Sequence, residues 1–133
     1  MTSKTKLNPL SLQAAFEVEH ARREAERHAR EDAERKQQEE DLARAEELFD
    51  ALAAEPAFLA RYALVVDRRR YTVSLDHEDF RIAAYFEAGK ANVTAADKRT
   101  TLPGAIAPRK RESVDSVADA LRVMAQYLVD ETR

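Results

Sequence analysis

His20, Glu24 and His28 are spaced by four residues, so on a helix an imidazole, a carboxylate and a second imidazole share one face. Two nitrogens and an oxygen suit Zn²⁺. A third ligand on a straight helix overreaches the metal, however, and Arg23 and Arg27 add positive charge beside the trio. Solvated histidines are therefore expected, with no metal and no other cofactor. Anion binding is the second chemistry on offer. Arg68-Arg69-Arg70, Lys98-Arg99 and Arg109-Lys110-Arg111 are three short basic clusters, and phosphate neutralisation needs such side chains on exposed loops. Against it stand the interleaved acids Asp67, Asp76, Glu78 and Asp79, and the absence of aromatics beside the clusters apart from Tyr71. His77 lies within Asp76-His77-Glu78-Asp79 and could be imagined as an acid/base group, but a charged, exposed turn is by far the better account of these residues. With only two glycines there is no glycine-rich phosphate loop, and neither G-x-S-x-G nor H-E-x-x-H occurs. Enzyme activity is not expected, and no small-molecule substrate is evident.

The longest element that must carry these groups lies between Pro9 and Pro56, where 46 residues contain neither proline nor glycine. Residues 17–47 hold twelve acids and seven bases in an Ala/Glu/Arg-rich run. Such a composition predicts a single helix over residues 8–55, which at 1.5 Å per residue would be roughly 65–70 Å long. Asn8 suits the N-cap, Pro9 the first helical position, and Leu7 with Leu12 a hydrophobic staple. Residues 1–7 are expected to form a flexible tail. Apolar side chains gather at the two ends: Leu10, Leu12, Phe16 and Val18, then Leu42, Ala45, Leu48, Phe49 and Leu52. The 42/45/49/52 subset has coiled-coil spacing, but carried backward the register meets Arg35, His28 and Glu24. The middle offers only Ala21, Ala25, Ala29 and Ala33, held helical by pairs such as Glu26–Arg30 and Glu31–Arg35. Two contact zones on a charged spacer are expected rather than a continuous coiled coil.

Residues 56–133 form the second expected unit, a small α+β domain. Pro56 opens a short helix over 56–63, and the apolar run 64–66 precedes a charged turn, Asp67 to Arg70. Tyr71, Val73 and Leu75 alternate with polar residues, as do Phe80, Ile82, Ala84 and Phe86 with Arg81, Ala83, Tyr85 and Glu87. Gly89 marks a turn, and a shorter strand covers 91–95. Residues 97–112 are expected to be a loop. Ser113 or Ser116 caps a last helix with an apolar stripe of Val114, Val117, Ala118, Leu121, Met124, Ala125 and Leu128. The fold class is thus α+β: a long charged helix, then a three- to four-stranded antiparallel sheet covered by a C-terminal helix.

The net charge of −3 is unevenly distributed, with −5 over residues 17–47 and +2 over 56–133. The chain has no cysteine, which excludes disulfides, thiolate metal sites and a cysteine nucleophile and fits a reducing cytoplasm. No apolar run is long enough to span a membrane, and the first fifteen residues lack the apolar core of a secretory signal. The sequon Asn92-Val93-Thr94 therefore has no evident meaning. These features point to a non-enzymatic, cytoplasmic interaction protein: a homo-oligomer assembled through Phe16, Val18, Leu42, Ala45, Phe49 and Leu52, with the α+β domain docking a protein partner. The alternative is a nucleic-acid-binding regulator using Arg68, Arg69, Arg70, Lys98, Arg99, Arg109, Lys110 and Arg111.

Overall fold

The computed structural model describes residues 10–99 and 108–133, except the side chains of Pro108 and Arg109. Helix α1 (Leu12–Ala53) spans 42 residues. Leu7, Asn8 and Pro9 lie outside the described residues. The helix opens at Leu12, and the Ser11 hydroxyl accepts the Ala14 N–H at 3.1 Å, so the capping oxygen comes from Ser11. The chain divides into two units, Met1–Lys36 and Gln37–Arg133, with α1 contributing to both.

In the first unit, exposed ion pairs one turn apart replace an apolar face. Arg22 joins Glu19 and Glu26, the latter at 2.6 Å, and Arg23 reaches Glu19 at 2.8 Å. Arg27 bridges Glu24 and Glu31 at 2.5 and 3.1 Å, and Arg35 meets Asp32 at 2.9 Å. Glu26 and Glu31 thus bind the arginine four residues before them rather than Arg30 and Arg35. One guanidinium has enough donors to span the carboxylates on both sides of it.

The second unit is built on a five-stranded antiparallel sheet in the order β1-β2-β3-β4-β5. Its elements are α2 (Pro56–Arg61), β1 (Val65–Arg69), β2 (Thr72–Asp76), β3 (Phe80–Glu87), β4 (Lys90–Asp97), β5 (Pro108–Val114) and α3 (Val117–Glu131). The α+β class and the covering helix agree with the expectation, but the strand count is higher. Asp67, Arg68 and Arg69 continue β1 instead of turning, and residues 108–112, expected in a loop, belong to β5. Both are edge strands dominated by charged residues. Neither shows the apolar alternation by which strands are recognised, because only Val114 of β5 enters the core.

One sheet face contributes Val73, Leu75, Phe80, Ile82, Ala84, Phe86, Ala91, Val93, Ala95 and Val114 to the core. Ala45, Leu48 and Leu52 of α1 pack there with Ala120, Val123, Met124, Tyr127 and Leu128 of α3. The buried side of α3 is therefore turned from the expected stripe: Leu121, Ala118 and Ala125 are exposed, and Val114 lies in β5. Ser116 is the cap, accepting the Asp119 N–H at 3.0 Å, whereas Ser113 is in β5. Among the described residues, no helix is long and apolar enough to cross a membrane.

The β3–β4 connection is a two-residue turn, with Ala88 at φ +53° and Gly89 at φ +80°. Positive φ at both positions matches the right-handed twist of the flanking strands. The turn is fixed from α1, because the buried carboxylate of Asp41 accepts the Gly89 N–H at 3.0 Å.

Candidate functional site

The alternation of strand side chains separates the basic clusters instead of gathering them. Arg68 points to the helix side, with Nη2 3.8 Å from Glu46, whereas Arg69 points to the other face and lies 3.4 Å from Asp67. Arg70 sits in the turn at φ +55°, its guanidinium 5.9 Å from the centre of the Tyr71 ring. Lys98 Nζ donates to Asp76 and to the His77 carbonyl, both at 2.9 Å. Arg99 bonds Asp97 at 3.0 Å and Glu131 at 3.1 Å. Lys110 reaches Asp130 at 2.6 Å and stands 5.5 Å from the Tyr127 ring centre. The Arg109 side chain lies outside the described residues. Of the two described side chains of the third cluster, Arg111 faces the sheet surface opposite the core, where it lines a shallow depression.

These contacts leave electrostatic signatures. Burial raises the Asp76 carboxyl pKa, but hydrogen bonds from Arg81 and Lys98 outweigh it and hold the pKa below the usual value. The Lys110 hydrogen bond lowers Asp130 likewise. Burial, reinforced by Glu112, pushes the Tyr127 phenol up.

The residues expected at an oligomer interface fall into two groups. Phe16 and Val18 are 62% and 55% exposed, and the Phe16 ring stacks on His20 at 5.6 Å. Leu42 is exposed, whereas Ala45 and Leu52 are buried in the second unit and Phe49 packs partly buried against its core. His28 Nε2 is 3.8 Å from Glu24, whose carboxylate is taken by Arg27. Among the described residues no group of three or more acids and histidines is arranged to hold a metal. His77 is fixed within its turn: Nδ1 accepts the Asp79 N–H at 2.9 Å, and the ring stacks on Phe80 at 4.5 Å.

Two features were not evident from sequence. Asp41 is one; besides Gly89 it accepts Gln37 Nε2 at 3.2 Å and meets Arg44 at 3.5 Å. Nothing marks it within the Glu39-Glu40-Asp41 run. The other is an apolar cleft of about 190 Å³ where the end of α1, α2 and α3 meet. Leu52, Phe58, Leu59, Leu121 and Met124 are among its walls, with Glu55 the one charged member. Phe58 and Leu121 remain exposed at its mouth. The Phe58-Leu59 pair in the short helix was the available signal.

Among the described residues the arrangement offers apolar contact and hydrogen bonding. No family model matches the chain, and no curated protein or solved structure is significantly similar to it.

Proposed function

We propose that the chain is a non-enzymatic interaction protein that self-associates through the apolar start of α1 and receives a protein partner on its α+β unit. One observation carries this: Leu12, Phe16 and Val18, large apolar side chains of the first unit, are 86%, 62% and 55% exposed. A helix held by surface ion pairs gains only about 0.3–0.5 kcal/mol from each, so its persistence draws on tertiary contacts, which these side chains would supply between copies. The apolar cleft beside Phe58 and Leu121 is the natural seat for a partner's hydrophobic side chain. The absence of cysteine supports a cytoplasmic location.

Nucleic-acid binding by the basic loops draws less support, since Arg68, Arg69, Lys98, Arg99 and Lys110 already meet carboxylates. Sedimentation equilibrium of the full chain tests the proposal. An oligomer that becomes monomeric in Phe16→Asp/Val18→Asp supports it. A monomer at tens of micromolar, or an oligomer whose mass the double substitution leaves unchanged, overturns it.

A further inference from the structure

Within the second unit no described helix packs on the sheet face opposite the core, and that face is chemically asymmetric. Toward β1 lies a depression of about 350 Å³ containing Asp67, Arg69, Asp76 and Arg81, in which the charges are paired: Asp67 with Arg69 at 3.4 Å and Asp76 with Arg81 at 2.6 Å. Toward β5 lies a second depression, of about 370 Å³, lined by Thr72, Ala83, Tyr85, Asn92, Thr94 and Arg111. It contains no carboxylate. Among the described residues, Arg111 is the cation of this face that has no acidic partner.

The strand register fixes the spacing of these groups. Tyr85 pairs with Asn92, and Thr94 pairs with Arg111, so ring and guanidinium lie two strands and two residues apart on one face. Strands about 4.8 Å apart and a rise of about 3.4 Å per residue put their Cα atoms roughly 12 Å apart. Both side chains are long enough to lean over the small floor of Ala83 and Thr94. Tyr85 is 40% exposed and presents its side chain on this face. The Thr94 hydroxyl and the Asn92 amide, both on β4, stand between, and the Thr72 hydroxyl lies beyond Tyr85 on β2, together offering donors and acceptors to sugar hydroxyls and to a base edge.

We propose that this depression is a binding site for a nucleoside monophosphate, its base on Tyr85 and its phosphate on Arg111. A free guanidinium among neutral groups favours an anion, and its planar fork matches phosphate oxygens. A ring beside it adds stacking, which suits any base. A longer strand gains little more, because the arginines of the neighbouring depression, Arg69 and Arg81, are already paired with Asp67 and Asp76. The site is independent of self-association and of the apolar cleft.

The test titrates the full chain with uridine monophosphate at low salt, following backbone amide and Tyr85 ring signals by NMR. Saturable shifts centred on Tyr85, Asn92, Thr94 and Arg111 in the millimolar range are expected. Arg111→Gln and Tyr85→Leu should each weaken binding about tenfold while leaving the circular dichroism unchanged, and Arg70→Gln should have no effect. Binding by uridine or by inorganic phosphate as tight as by the nucleotide overturns the two-point assignment. Much tighter binding by pentauridylate overturns the preference for a single nucleotide. No shift at these residues overturns the site.

Discussion

Replacing Asp41 by alanine should loosen the α+β unit by about 2–3 kcal/mol. Asp41 is only 4% exposed, so the half-buried Gly89 N–H and Gln37 amide lose a charged acceptor that is itself shielded from water. A hydrogen bond to a charged group contributes about 1.5–3 kcal/mol, and the Gly89 bond supplies most of the loss. The Arg44 contact, at 3.5 Å and partly exposed, adds little. At about 4–8 °C per kcal/mol for a unit of this size, Tm should fall by roughly 8–24 °C. Asp41→Asn keeps an acceptor oxygen but loses its charge, and should lose about half as much. Chemical denaturation of both variants, with amide exchange at Gly89, checks the assignment. Destabilisation by Asp41→Ala below about 0.5 kcal/mol, or unaltered Gly89 exchange, would refute the reasoning.

The same turn offers a stabilising change: Ala88→Asn should add about 0.5 kcal/mol in urea melts, because asparagine accepts positive φ more readily. Conversely, Gly89→Ala should cost about 1 kcal/mol from its φ of +80° rather than from crowding, since the nearest atom to the added carbon, Gln37 Nε2, is 3.6 Å away. Ser116→Ala removes the α3 cap and should lower stability by about 1 kcal/mol, with faster amide exchange at Asp119. Acid should act through Asp76 and Glu19. Both pKa values are lowered on folding, so their contributions are complete above the ordinary carboxylate range and are lost as pH falls through the folded values. For Glu19, bonded by Arg22 and Arg23, that value is about 2, so NMR of its side-chain carboxyl should still show the ionised form at pH 3.

The elements with a strong period were legible in the sequence. The alternation from Phe80 to Phe86 gave β3 with its correct inward face, and the apolar residues after Ser116 gave α3 as a helix. Less legible was what contact alone decides. Residues 108–114 form a strand because β4 offers a free edge, although Arg-Lys-Arg-Glu reads as loop chemistry. The inward face of α3 centres on Ala120, Val123, Met124 and Tyr127, while Leu121 and Ala125 line the cleft beside α2 and stay exposed, a rotation that depends on what the helix packs against. Ala45 and Leu52 have coiled-coil spacing, yet that same period serves equally well for packing on a sheet. The basic clusters were visible as residues, and so were the near neighbours Asp67 and Asp97, but the partners Glu46 of α1, Asp76 of β2 and Asp130 and Glu131 of α3 are brought in by the fold, which no local pattern reveals.

The contact between Asp41 and Gly89 also sets a problem of timing. Synthesis proceeds from the N-terminus at about 5–20 residues per second, and the two residues are 48 positions apart. Asp41 therefore leaves the ribosome roughly 2–10 s before the amide it will bind. For that interval Ala45, Leu48 and Leu52 have no sheet to cover them. The five strands, by contrast, pair only with their neighbours in sequence, so each finds its partner almost as soon as it is made. The acids and bases crowded around that short apolar stripe keep a nascent helix soluble while it waits for the sheet that completes it.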